Sequence, residues 1–136
     1  MKPVNKKVQK ITVPAKVKIL GKTFKVTKIN KKSCYNCKKL TTVTIGNNVA
    51  TIGDQAFAKC KKLNKVIIGK GVTTIGKQTF AADKSLRKVK IRSKKLKTIK
   101  KGAFKGVNKN KLSFTAPTKK TQIKYGKLLK KKSVWK

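Results

Sequence analysis

Cys34 and Cys37, separated by Tyr35 and Asn36, have the two-residue spacing used in redox and zinc motifs. A metal site built on that pair needs a second cysteine pair or histidines, and the chain has three cysteines and no histidine. Cys34 stands 23 residues before Phe57, and Cys37 the same distance before Cys60, so a repeat that packs these side chains explains them equally well. Two further readings stay open: a Cys37–Cys60 disulfide between adjacent repeats, since neighbouring repeats fall within the Cα separation a bridge needs, and metal or redox chemistry from the Cys34–Cys37 spacing. Gly71 to Gly76 followed by Lys77 imitates the start of a phosphate-binding loop, but Gln78 stands where Ser or Thr must reach magnesium. The acids are Asp54 and Asp83. Asp54 follows Gly53 ahead of a turn, where its oxygen can cap free amides. Asp83 is in register with Cys60, so the two acids occupy different repeat positions and acid–base chemistry would require them to converge. No catalytic residue, cofactor or metal is expected.

The lysines carry the functional reading. Against two acids stand 40 basic residues, of which only Arg87 and Arg92 are arginine, for a net charge of +38. At the repeat spacing, Lys65, Lys88 and Lys111 align at an outward strand position, and Lys38, Lys61 and Lys84 align beside the turns. Like charges opposite one another destabilise a sheet, at about 1 kcal/mol for a close pair in water. Two such ladders should hold anions; the alternative is a solvated surface that confers solubility. Lysine acts as a point charge, whereas arginine supplies the fork that reads base edges. Two arginines and eight aromatic residues disfavour sequence-specific nucleic-acid recognition and base stacking. A repetitive polyanion fits better: cell-wall teichoic acid, a glycosaminoglycan, an anionic lipid surface or non-specific DNA.

The elements that must position these lysines follow from one period. Leu40, Leu63 and Leu86 stand 23 apart, as do Val43, Val66 and Val89, the isoleucines 45, 68 and 91, and the pairs Val49/Val72, Ile52/Ile75 and Phe57/Phe80. Such spacing indicates a repeat fold. Within each unit Val-x-Ile predicts a short strand with both side chains inward, Gly46 or Gly69 turns the chain, and Val49-x-x-Ile52 predicts a second extended segment. Ala56-Phe57-x-x-Cys60-x-x-Leu63 has the three- and four-residue spacing of a helical turn or short helix. Strands are expected at 11–13, 43–45, 66–68 and 89–91, with Leu112 to Phe114 last, and the unit from 89 carries one extra residue. Residues 17–29 alternate around Gly21 as a hairpin, expected to cap the N-terminal end. Thr118 is a candidate N-cap for a C-terminal helix with Tyr125, Leu128 and Leu129 on one face, Ile123 off it, and Val134 and Trp135 tucked beneath. The chain is therefore expected to be a single domain over 1–136, with a frayed basic start at 1–10, first strand and hairpin at 11–29, repeats over 26–117 and a helical cap at 118–136. No stretch reaches the roughly 18 apolar residues of a membrane span. The start shows no signal peptide, so an exported protein would hold this chain as a fragment.

The pattern Leu-x-x-Val-x-Ile-Gly, then Val-x-x-Ile-Gly, then Ala-Phe-x-x-Cys-x-x-Leu resembles the BspA-like leucine-rich repeats of bacterial surface proteins, over roughly residues 11–117. That resemblance implies a right-handed leucine-rich-repeat solenoid of short parallel strands, secreted or on the bacterial cell surface. It also implies adhesion or binding, with a host surface protein as one partner, and brings no catalytic residues. The function expected is a non-enzymatic surface or wall-associated module with a polycationic face. The alternatives are a non-specific nucleic-acid-binding protein and a structural spacer of a larger surface protein.

Overall fold

The computed structural model describes residues 8–136, so most of the expected frayed start lies outside the described residues. In chain order the strands are β1 (Lys10–Val13), β2 (Lys16–Ile19), β3 (Lys22–Lys25), β4 (Lys28–Ile29), β5 (Thr42–Ile45) and β6 (Thr51–Ile52). They continue as β7 (Lys65–Ile68), β8 (Thr74–Ile75), β9 (Lys88–Ile91), β10 (Thr98–Ile99) and β11 (Ser113–Thr115), followed by helices α1 (Lys119–Lys130) and α2 (Lys132–Trp135). Successive coils stack into two parallel sheets, one in the order β1-β5-β7-β9-β11 and one in the order β4-β6-β8-β10. Val43, Val66 and Val89 sit opposite one another on adjacent parallel strands, as do Ile52 and Ile75. One coil cannot bury its inward face, and stacking converts each aliphatic position into a continuous column. Ile29, Leu40, Val43, Ile52, Leu63, Val66, Ile75 and Leu86 are all fully buried.

Glycine at the corner is a steric requirement. A Cβ on Gly69 would lie 2.4 Å from the carbonyl oxygen of Gly46 in the preceding coil.

The third wall differs from expectation. The segments around Phe57 and Phe80 are runs of tight turns, with left-handed residues four apart at Lys32 and Asn36, Gln55 and Lys59, and Gln78 and Ala82. Their amides alternate in partner. Ala56 and Ala58 donate to carbonyls three residues back, while Gln55, Phe57 and Lys59 donate to Lys77, Thr79 and Ala81 of the next coil. A helix would turn every amide inward on itself; this wall keeps alternate amides for the neighbouring coil and so contributes a third inter-coil ladder. Its interior is an aromatic column, Phe57 on Phe80 at 5.8 Å, Phe80 on Phe104 at 5.4 Å, and Phe104 against Trp135 at 5.7 Å between ring centroids.

The C-terminal segment closes the last coil. Thr118 caps α1 through a capping box with Thr121, and Tyr125, Leu129 and Val134 are buried while Ile123 is exposed. The amides of Gly102 and Phe104, which have no further coil, donate to the carbonyls of Ser133 and Val134. Gln122 does the same for the exposed edge of β11, its side-chain oxygen accepting from Ala116 N–H and its amide nitrogen donating to the Phe114 carbonyl.

Candidate polyanion interface

Every described lysine is exposed. Charge repulsion and desolvation both push ammonium groups away from a core this apolar, so the variable positions of the repeat become a cationic shell. Within it, Lys65 and Lys88 are direct neighbours on β7 and β9, as expected. Lys111 is not their neighbour. The strand position opposite Lys88 is Ser113, and Lys111 lies in the preceding turn. The reason is length, because 25 residues separate Lys88 from Ser113 where 23 separate Lys65 from Lys88. Lys38, Lys61 and Lys84 occupy equivalent exposed positions on successive coils, between the inter-coil bonds of the turn wall and those entering the long sheet.

The structure adds a cluster that the period alone does not reveal. Lys70, Lys90, Arg92, Lys94 and Lys95 surround a groove of about 540 Å³ floored by Ile91, Thr115, Ala116 and Pro117. Its volume lies within the range of small-molecule and polymer-segment sites, roughly 300–1,000 Å³. The groove arises where the repeat breaks register. Arg92 holds the corner position that Gly46 and Gly69 hold earlier, and the extra residue lets Ser93 turn inward. Ser93 Oγ donates to the Val72 carbonyl at 2.6 Å and accepts from Lys95 N–H at 3.0 Å, leaving Arg92, Lys94 and Lys95 pointing out. The Ser93 carbonyl in turn accepts from Tyr125 Oη at 2.6 Å, which ties the groove's back wall to α1. Lys90 carries the cluster onto the face of β9 beside Lys88. The sequence signal for this site was the missing corner glycine together with the one-residue insertion.

Neither acid lines that groove. Asp54 Oδ1 accepts from Lys77 N–H at 2.7 Å, across to the next coil, and a Cβ on Gly76 would meet the same oxygen at 2.6 Å. A carboxylate therefore fills the space in which a phosphate-binding loop would cradle phosphate. Asp83 is fully buried; its Oδ1 accepts from Cys60 N–H at 2.8 Å, and its Oδ2 has no hydrogen-bond partner among the described residues. Burial holds this carboxyl well above the usual carboxylate range, with the Cys60 amide opposing the shift.

All three cysteines are buried with no disulfide between them, Cys37 and Cys60 in the column that ends on Asp83 and Cys34 in register with Phe57. Burial, reinforced by Cys37, pushes the Cys34 thiol up to about 12, and burial with Asp83 raises Cys60 as well. Thiols held protonated in this way are poor nucleophiles and poor metal ligands. Among the described residues no group of three or more His, Cys, Asp or Glu side chains is placed to hold a metal ion. Nor, among the described residues, is any helix long and apolar enough to cross a membrane.

Stacked parallel strands with glycine corners and a leucine column define a leucine-rich-repeat solenoid. The BspA type leucine rich repeat region matches residues 4–131 in six copies, and the chain belongs to that family. A leucine-rich repeat protein from Bacteroides ovatus ATCC 8483 is similar in structure, with a TM-score of 0.66 and 26% identity over 79% of this chain and 30% of its own. The T. pallidum leucine rich repeat protein superposes with a TM-score of 0.49 at 22% identity, over 75% of this chain and 56% of that one. A leucine rich cell surface protein from Faecalibacterium prausnitzii A2-165 gives 0.33 at 20% identity, over 82% and 48%. The chain thus spans under a third of the Bacteroides protein and just over half of the T. pallidum one. No curated protein matches it.

Proposed function

We propose that the chain is a non-enzymatic binding module of a bacterial surface or wall-associated protein, attaching through its cationic shell to anionic polymers such as teichoic acid or a glycosaminoglycan. The compartment rests on the resemblance of its repeats to those of bacterial surface proteins. The polymer rests above all on one observation, the convergence of Lys70, Lys90, Arg92, Lys94 and Lys95 on a single groove. Five cations around one concave floor attract a chain of regularly spaced negative charges, and Lys65 and Lys88 extend that attraction along β7 and β9. A purely solvated surface would need no such concentration.

Retention on a heparin column or on purified cell wall tests the reading. Binding is expected at low salt and is lost by about 0.5 M NaCl, as counterion release requires. Reversing charge with Lys90→Glu and Arg92→Glu should lower the eluting salt concentration more than the same reversal at Lys38 and Lys61. Retention that is indifferent to salt would refute the electrostatic reading, and equal effects from the two pairs would refute the groove as its centre. A spacer domain would bind neither support at physiological salt, and a nucleic-acid binder would retard DNA while ignoring wall.

A further inference from the structure

The hairpin β2–β3 replaces, in the first coil, the short corner that Gly46 to Val49 makes in the next. Its cross-strand pairs are Lys16 with Lys25, Val17 with Phe24, Lys18 with Thr23 and Ile19 with Lys22. Paired residues share a face and successive pairs alternate, so one face carries Val17, Phe24 and Ile19 with Lys22 at its edge, and the other carries Lys16, Lys25, Lys18 and Thr23. The apolar face is not laid on the solenoid: Ile19 is 55% exposed and Phe24 49%. At the tip Leu20 is 98% exposed.

The tip is also strained. Leu20 and Gly21 are the two residues of the turn, with φ of 49° and 77°. A two-residue turn with both φ positive favours Asn, Asp or Gly at its first position, and a bulky side chain there is costly. Leucine at this position therefore weakens the turn and gains no burial in return among the described residues. Strain of this kind, with nothing in the fold to compensate it, marks a functional position.

We infer that the hairpin is an insertion tip for an anionic lipid surface, with Leu20, Ile19 and Phe24 entering the headgroup–acyl boundary while Lys16, Lys18, Lys22 and Lys25 hold the lipid charges. The dimensions fit. A four-residue strand spans about 13 Å, and interfacial elements bury their apolar face about 5–10 Å deep. The charge fits too, because each lysine near an anionic surface adds attraction within a Debye length, and all four lysines of the hairpin are exposed. A protein partner fits less well, because a stable interface covers about 800 Å² per side and three side chains on a narrow ribbon supply a fraction of that. The inference stands on the apolar ribbon and not on the groove.

The test uses the full chain carrying Leu20→Cys coupled to an environment-sensitive fluorophore. The buried native cysteines leave the new thiol as the reactive one. With phosphatidylglycerol-containing vesicles the emission should shift to the blue and rise, and pure phosphatidylcholine should give neither change. Unlabelled Leu20→Asn/Phe24→Ser should bind the anionic vesicles about tenfold or more weakly, while eluting from heparin at the salt of the parent chain. Asparagine suits the turn and both residues lie outside the core, so thermal unfolding should match the parent and show the fold intact. An unchanged emission while the protein sediments with vesicles overturns the inference, as does parental vesicle affinity in the double variant. A tip that docks on a protein would give the first of these results.

Discussion

The two ends of the solenoid both depart from the repeat, and they treat apolar side chains in opposite ways. At the C-terminal end Tyr125 and Val134 are 0% exposed, and the open backbone groups of Gly102, Phe104, Phe114 and Ala116 find partners on α1 or α2. At the N-terminal end the hairpin projects from a corner, anchored by Val26 N–H to the Ala15 carbonyl at 2.9 Å and by the Asn48 amide to the same oxygen at 3.0 Å, with Ile19, Leu20 and Phe24 in solvent. One end extends the core and the other is attached to it. Residues outside the repeat are therefore not equivalent. Those at 118–136 belong to the cooperative fold, and those at 16–25 serve something beyond it.

The sharpest way to break this contrast is to truncate one aromatic at each end. Tyr125→Ala removes a buried ring, its bond to the Ser93 carbonyl and the acceptor of Leu96 N–H. It should cost about 3–5 kcal/mol in chemical denaturation. Phe24→Ala should cost under about 0.5 kcal/mol, as for other exposed sites. Similar losses would mean that the hairpin, too, is part of the core.

The interior offers a second test, through pH. Burial raises the Asp83 pKa in the folded state, so between its unfolded value near 3.8 and its folded value the native chain binds the extra proton. Stability should therefore be greatest below pH 3.8 and fall as pH rises through the folded pKa, opposite to proteins whose carboxylates are ion-paired. The slope should be visible because Asp54 is the only other acidic side chain and there is no histidine. Asp83→Asn keeps the oxygen that accepts from Cys60 N–H and should flatten the curve. A denaturation midpoint that rises from pH 4 to pH 7 would contradict it.

How far the sequence foretold this molecule depends on what was periodic. The columns of Val43, Val66 and Val89 and of Ile52 and Ile75 were legible because strict 23-residue spacing leaves stacking as the way to bury them. Thr118 and Tyr125 were legible from local capping and face rules. The turn wall was misread, because spacing of three and four residues is shared by a helix and by tandem turns, and the choice is made by bonds to the next coil, which no single unit displays. Lys111 was misplaced for a related reason. A period extrapolated past an insertion loses register, and the same break in register built the groove around Arg92. Repetition discloses a core, whereas the groove and the hairpin lie where repetition fails.

A smaller effect is expected at the α1 cap. Thr118→Ala removes the acceptor of Thr121 N–H and half of the capping box. It should cost about 1 kcal/mol, because α1 is held mainly by Tyr125 and Leu129 and not by its own propensity. A loss above about 2 kcal/mol would show that the helix depends on its cap more than on its packing.

The smallest expected effect is the most discriminating, because it separates local from global stability. Leu20→Asn exchanges a strained residue for one that the turn favours, a gain of about 0.5–1 kcal/mol in the hairpin itself. If the hairpin opens independently of the solenoid, that gain cannot appear in the global unfolding midpoint, which reports a core the hairpin does not enter. It should appear instead as amide exchange across β2 and β3 slowed about two- to fivefold, with exchange in β5, β7 and β9 unchanged. Slower exchange in the long sheet as well would couple the tip to the core and abolish the distinction between the two ends.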